Sequence, residues 1–479
     1  MNRAYHTSNS GNIAIFIVFL VLFILFTPVC SPASFTIEDE RKIGAEFHER
    51  LMRSGLIIQN DRVKDYINRL GRHLLSSGQK VPFDFRFFVV RSQGINAFAT
   101  PGGYVYVNMG LINLAENEGQ LASVLAHEIA HVNNRHIAAM IEKSQKVNAA
   151  TMAAIIAGAL LGGGGDMTAA VAGFSLATAS MAQLKYSREH EEESDRLGLG
   201  MLVAAGYSSQ GALDFLRNMR RHEYFSNNTP SYFLTHPGIE DRIRYTDGLI
   251  QTIYPPAGKE EILGNFRRIK TILTLESPDN LGNQRYFSAN LQNNPNSVDD
   301  LYGLAIVQER IGLLAQSLGN FQQALALAPD DIDIIRDMGV SMFKTGKYQD
   351  AIQLLIRSIS IDINDLQAIS FLGRAYLSAG QYQRSLETLL KGKDLASDKD
   401  DVFYFTLASA YGQLKRQGES HYYFGISFRM RNNIRTSIHH FRESIKYLPK
   451  NSDLFQNAQK EIETLQELEK PKRKEPAQR

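Results

Sequence analysis

His127-Glu128-Ile129-Ala130-His131 sets two histidines four residues apart, with a carboxylate beside the first. On a helix, positions i and i+4 lie one turn apart on the same face, so both imidazoles reach a single metal ion. Glu128 is rotated by about 100° and misses the ion, but it reaches a water bound to it. That is the arrangement of a metal-activated hydrolase: zinc lowers the pKa of the water and the carboxylate accepts its proton. With 12 His and 50 Asp plus Glu in 479 residues, chance yields the pattern His-[Asp/Glu]-x-x-His roughly 0.03 times. The motif sits in Leu121–Val132, where Leu121, Val124, Leu125 and Ile129 fit one buried helical face. Two histidines and a glutamate buried there without partners would cost several kcal/mol, so a shared ion accounts for them best.

A catalytic zinc typically has three protein ligands and a water. The third is sought in Ser187-Arg188-Glu189-His190-Glu191-Glu192-Glu193-Ser194-Asp195. Spacing alone leaves Glu189, His190, Glu191, Glu192 and Glu193 open. If the segment is helical, Glu191 and Asp195 share a face, so that one ligates the metal while the other holds a ligand histidine through its free N–H. Glu189, Glu192 and Glu193 are expected on a solvated face. His190 is expected to point elsewhere, and His136, five residues past His131, to play a structural part off the ligand face. Cys30 is the only cysteine, which excludes a cysteine-based zinc site and an internal disulfide framework.

These residues, with Asn96-Ala97-Phe98-Ala99-Thr100-Pro101-Gly102-Gly103, resemble the zinc metallopeptidase family of HtpX and the CAAX prenyl endopeptidases. The resemblance implies an α+β zincin-like domain, mostly helical with a small sheet, one zinc per chain, and endopeptidase activity. It assigns Glu191 as the third ligand beside His127 and His131, with Glu128 as general base and Asp195 supporting the ligands. It further implies that Asn96–Val107 is an edge strand flanking the cleft, where a substrate adds as a strand. Thr235-His236-Pro237, followed by Arg242, is carried over as well. His236 then has three readings: it steadies the oxyanion of the tetrahedral intermediate, it fills the fourth zinc position and keeps the enzyme latent, or it is a capping or surface residue before a helix starting near Pro237.

The elements that position these groups follow from periodicity. Thr36–Arg53 and Asp61–Ser76 have helical spacing, Phe83–Val90 alternates like a strand, and Asn96–Thr100 and Tyr104–Val107 flank a Pro-Gly-Gly turn. Further on the chain repeats. Gly312, Gly346 and Gly380 are 34 apart, as are Leu304, Met338 and Leu372, and Phe287, Phe321, Leu355 and Leu389. A 34-residue period of these types is the tetratricopeptide signature, in which small residues let paired helices approach and Gly turns the corner. About four units are expected between residues 260 and 450, the end ones degenerate, with Leu407-Ala408 to Tyr411 repeating the pattern one residue out of phase. The expected domains are a signal peptide at 1–33, the metallopeptidase at 34–255, an all-α tetratricopeptide solenoid at 256–450, and a solvated terminal helix with a basic tail at 451–479.

Arg3 and the 14-residue apolar run Ile13–Phe26 read as a signal peptide, since about 20 residues are needed to span a bilayer. Ser31-Pro32-Ala33 offers a cleavage site; lipid attachment at Cys30 and an uncleaved anchor are the alternatives. Cleavage there leaves a cysteine-free chain suited to an oxidising compartment, the periplasm. Residues 148–182 are almost uncharged and are expected to form a buried hairpin or to dock on a membrane surface; the resemblance favours membrane proximity. Lys plus Arg is 52 against 50 Asp plus Glu, a net charge of +2 that argues against nucleic acid as a partner. For an exported member with such repeats, the resemblance implies quality control of outer-membrane β-barrel proteins. It degrades stalled chains and assists others, with the repeats recruiting clients or assembly machinery. The alternative is a tetratricopeptide chaperone or scaffold with a latent or structural zinc site.

Overall fold

The computed structural model describes residues 35–77, 82–144, 186–226, 230–397 and 400–469. The expected signal peptide, Cys30, residues 148–182 and the basic tail lie outside the described residues. The chain divides into two compact units, Met1–Lys270 and Thr271–Arg479. No helix among the described residues is long and apolar enough to cross a membrane.

The first unit is α+β and mostly helical. Helix α1 (Ile37–Arg53) starts where Thr36 and Asp39 form a reciprocal capping box, and α2 (Asp61–Ser76) where the Asn60 side chain accepts from Arg62 and Val63. Three short strands follow: β1 (Arg86–Val90), β2 (Ala97–Thr100) and β3 (Tyr104–Asn108), in the order β1-β3-β2. β1 runs parallel to β3, from Arg86 opposite Tyr104 to Val90 opposite Asn108; β2 runs antiparallel, with Ala97 opposite Val107. The segment expected as one edge strand is therefore split: β2 is at an edge, but β3 lies in the middle of the sheet. A strand running from Tyr104 to Asn108 is flanked on both sides because residues 86–90 pair with it as well. The core on the sheet is aromatic, with Phe98 stacked on Tyr106 at 4.9 Å and Phe47 edge-on to Tyr106 at 5.7 Å.

Short α3 (Met109–Leu114) leads into α4 (Glu118–Asn133), whose residues from Glu118 to Val132 are all buried. Asn117 caps it by accepting from Gln120, and the buried Glu118 at its first turn accepts from the Tyr66 and Tyr207 hydroxyls and from the Ile262 and Leu263 amides. Then come α5 (His136–Ser144), α6 (Arg188–Ala204), α7 (Gln210–Ser226), the one-turn α8 (Ser231–Thr235) and α9 (Ile239–Thr252). The Cβ of an alanine at Gly198 would stand 3.0 Å from the His127 amide nitrogen, so α6 lies directly against the middle of α4.

The division between units falls within α10 (Phe266–Leu275). The second unit is an all-α tetratricopeptide array: α11 (Asn280–Asn293), α12 (Val298–Arg310), α13 (Leu314–Leu327), α14 (Ile332–Lys344), α15 (Tyr348–Ile361), α16 (Leu366–Ser378), α17 (Tyr382–Gly392), α18 (Asp401–Gln413), α19 (Gln417–Met430), α20 (Ile434–Tyr447) and α21 (Asp453–Glu469). Gly312, Gly346 and Gly380 sit at φ of +83°, +78° and +74° with open space around them, so the repeat demands glycine for its backbone conformation. The next turn, one residue late, puts Lys415 at φ +62°. Close approach is also real: a Cβ at Gly373 would meet the Leu389 side chain at 2.5 Å. Ser385, Ser420 and Ser437 each donate to a carbonyl twelve residues back, those of Gly373, Ala408 and Gly425, and tie helix to helix. α21 is not wholly solvated as expected, since Ala458 and Leu465 are buried in the cluster formed with α18 to α20.

Candidate metal centre

α4 presents His127 and His131 from one face, and α6 brings Glu191 to them. The Nε2 atoms of His127 and His131 are 3.0 Å apart. Glu191 lies 3.5 Å from each, Oε2 toward His127 and Oε1 toward His131. A fourth donor joins from the end of α8: His236 Nδ1 is 3.1 Å from Glu191 Oε1 and 3.4 Å from His127 Nε2. One atom from each of these four buried side chains lies within 4.8 Å of the others. Donors set tetrahedrally about 2.1 Å from a zinc ion stand about 3.4 Å apart, and the contacts above run from 3.0 to 3.5 Å. Two imidazole nitrogens, a carboxylate oxygen and a third imidazole facing one point suit a divalent cation of intermediate softness.

The other side of each group is fixed as well. His127 Nδ1 is 2.9 Å from Asp195 Oδ1, which leaves its Nε2 lone pair facing the centre. Arg242, from α9, grips Asp195 through Nη2 at 2.7 Å and Nε at 2.8 Å, and reaches Glu191 Oε2 through Nη1 at 3.0 Å. Gly238 makes this approach available by holding φ +82° at the N-cap of α9. His131 turns its Nδ1 to His136 Nδ1 at 2.9 Å, and His136 Nε2 is 3.2 Å from Glu193 Oε2. Tyr186 covers the His131 ring at 3.9 Å and Tyr232 stacks on His236 at 4.2 Å. A cavity of about 350 Å³, lined by Arg188, Glu191, Pro237 and Arg242 among others, adjoins the cluster.

Electrostatics follow from burial and charge. Burial opposes ionisation of Glu191, but His236 and Arg242 hold its carboxyl well below the usual carboxylate range. Asp195 is likewise held low, burial being outweighed by Arg242 and by the His127 hydrogen bond. Burial and Arg242 press His127 down, yet Asp195 and Glu191 prevail and lift it to about 9. Burial, joined by His127, drives His131 well below an ordinary imidazole. Glu128 is raised by burial, against the pull of His236 and His127. Neither of its oxygens hydrogen-bonds another described residue, and His236 Nε2 stands 3.5 Å from Oε1. A base raised by burial, desolvated and without a hydrogen bond from another described residue is suited to take a proton.

All six residues singled out from the sequence, His127, Glu128, His131, Glu191, Asp195 and His236, converge here. His236 is buried, which disposes of the surface alternative, and the following helix begins at Ile239 rather than Pro237. Three groups went unrecognised in their contacts. His136 was expected off the ligand face, but Arg135, at φ +54°, ends α4 and turns the chain back beneath His131. Glu193 is partly exposed yet accepts from His136 instead of serving only as a solvated face. Tyr232 precedes His236 by four residues, a helical spacing that carried the signal without identifying what the ring would cover.

The profile of Peptidase family M48 matches residues 58–250. The chain is 34% identical over 214 residues to the beta-barrel assembly-enhancing protease of Yersinia pestis, an alignment covering 44% of each protein and so less than half the length of that relative. It is 31% identical over 224 residues to a protease HtpX homolog of Desulfatibacillum aliphaticivorans, covering 40% of this chain and 71% of that one. Among solved structures, the crystal structure of MamA is 21% identical, with a TM-score of 0.31, over 34% of this chain and 95% of MamA. With a family profile laid over the helices that carry the cluster, and most of an HtpX homolog aligned, the chain belongs to peptidase family M48.

Proposed function

We propose that this protein is a zinc-dependent endopeptidase of the periplasm that degrades misfolded or stalled outer-membrane proteins and assists the assembly of others. The observation that carries the chemistry is a buried Glu128, without a hydrogen bond from another described residue, adjoining His127, His131 and Glu191, whose donor atoms lie within 4.8 Å of one another. His127, His131 and Glu191 would hold the metal, and zinc bound there would polarise the scissile carbonyl and acidify water. Glu128 takes the proton of the attacking water and delivers it to the leaving amine. Asp195 fixes His127 through its Nδ1, and Arg242 keeps Asp195 and Glu191 ionised. β2, at an edge of the sheet and packed against α4, offers a place for an extended substrate to add as a strand.

His236 is proposed as the fourth ligand, because its Nδ1 points into the donor set. Its withdrawal during catalysis would admit the attacking water and place the imidazole to steady negative charge on the substrate oxygen, whereas a His236 that stays in place would leave the enzyme latent.

The physiological part of the proposal draws on the relatives named for β-barrel assembly and on the repeat array, taken here to recruit clients or assembly machinery. Residues 34–255 are assigned to catalysis and 256–450 to recruitment.

The test compares the mature protein with its Glu128→Gln form for bound zinc and for cleavage of unfolded β-casein. One zinc in both, with cleavage by the parent alone, is expected. Zinc in both without cleavage favours the latent or scaffold alternative, and His236→Ala is then expected to release activity. Absence of zinc from both would overturn the site.

A further inference from the structure

We propose that His136 is a positioning residue for the metal ligand His131, with Glu193 anchoring it in turn. The inference presupposes the zinc site above and adds to it a carboxylate–imidazole–imidazole chain that no motif in the sequence announces. His131 turns its Nε2 toward the donor set, so its ring proton sits on Nδ1. The atom facing that proton at 2.9 Å is His136 Nδ1, which must therefore accept. His136 then carries its own proton on Nε2 and donates it to Glu193 Oε2 at 3.2 Å. Ser194 Oγ approaches His136 Nδ1 at 3.4 Å, and the His190 ring stacks on the imidazole at 4.2 Å, only 17° from parallel. The orientation of His136 is thus fixed on three sides.

The backbone is shaped to deliver this contact. Arg135 adopts a left-handed φ of +54°, an unfavourable conformation for a residue with a Cβ. It is held there by Nε to Glu40 Oε1 at 2.5 Å and by Nη2 to the Phe35 carbonyl at 2.7 Å. A straight continuation of α4 would carry residue 136 off the His131 face; the turn at Arg135 brings it back.

The two ligand histidines of α4 are consequently backed by different devices that end on the same helix. His127 meets a carboxylate of α6 directly, at Asp195. His131 meets one through an intervening imidazole, at Glu193. Helix α6 thereby supplies a ligand, Glu191, and both backing carboxylates. An acceptor on the far nitrogen raises the basicity of a ligand imidazole and fixes its orientation, and losing one commonly weakens metal binding about 10- to 100-fold.

The test measures zinc affinity by chelator competition and melting of the metal-free full-length chain, for the parent, His136→Leu, His136→Gln and Glu193→Gln. The Gln side chain at 136 retains an oxygen to accept from His131 and an amide to reach Glu193; Leu retains neither. The expected result is a loss of about 10- to 100-fold in zinc affinity for the Leu variant, with the Gln variant within about threefold of the parent and the Glu193 variant between them. In Co²⁺-loaded protein, the visible d–d bands should shift for the Leu variant and return with Gln. A Leu variant that binds zinc as tightly as the parent would overturn the proposal. So would equal losses in the Leu and Gln variants, which would reduce His136 to a packing residue. A parent that binds no zinc would instead refute the site itself.

Discussion

Arg242 is the buried guanidinium that faces two of the site's carboxylates. Three of its contacts, of 2.7 to 3.0 Å, go to Asp195 and Glu191, and all three side chains are nearly inaccessible to solvent. Burial raises the cost of each carboxylate, and the guanidinium holds both ionised. Removing it leaves buried charge uncompensated, which typically costs about 3–5 kcal/mol. Arg242→Gln is therefore expected to lower the unfolding free energy of the first unit by that much, read from its urea denaturation curve, and to weaken zinc binding, both measurable on one preparation. Arg242→Lys should recover only part, because a point charge cannot reproduce the paired contact with Asp195. His127, Glu128 and His131 were legible as a group because one helix spaces them. Arg242 stands 47 residues beyond Asp195, and only the fold puts its side chain between two carboxylates.

At the scale of elements, the site depends on how closely α6 lies against α4. At Gly198 a side chain would meet the backbone of Ala126 and His127 at 3.0–3.1 Å, where nothing can swing aside. Gly198→Val should push α6 outward and carry Glu191 and Asp195 away from the histidines. Zinc affinity should fall at least about tenfold while helix content by circular dichroism is kept. In the repeat array the same reasoning acts through φ alone. Lys415 occupies the left-handed turn that Gly312, Gly346 and Gly380 fill earlier, at φ +62°. Lys415→Gly is expected to raise the stability of the second unit by up to about 1 kcal/mol, read as a shift in urea midpoint. The 34-residue period exposed these turns in the sequence. The one-residue slip at Leu407-Ala408 to Tyr411 was visible too, but that a lysine would be forced into glycine's conformation was not.

Each unit of the molecule has its own buried cores. Phe47, Val90, Phe98 and Tyr106 centre one beneath the sheet in the first, whereas Leu304, Phe321, Leu372 and Phe403 belong to clusters along the array in the second. All four candidate zinc donors lie in the first. A metal that binds only the folded state stabilises by about 4 kcal/mol when its free concentration is 1,000 times the dissociation constant. Chelation with EDTA is expected to lower one calorimetric transition by several degrees and leave the other in place. Movement of both transitions together would show that the units do not melt independently.

Several features could be read from order and spacing alone. The His-Glu-x-x-His motif places three groups by helical geometry, and the tetratricopeptide period places helices by repetition. Both are local rules, so short-range sequence carries them. Spacing alone left Glu189, His190, Glu191, Glu192 and Glu193 open and helical geometry could only pair Glu191 with Asp195, since choosing the ligand requires knowing which face of α6 meets α4. The backing of His131 by His136 was invisible for a related reason. A five-residue separation points away from the ligand face on a continuous helix, and only a left-handed Arg135, braced by Glu40 ninety-five residues earlier, turns it back. Contacts between distant segments depend on packing, and packing is decided by tertiary structure.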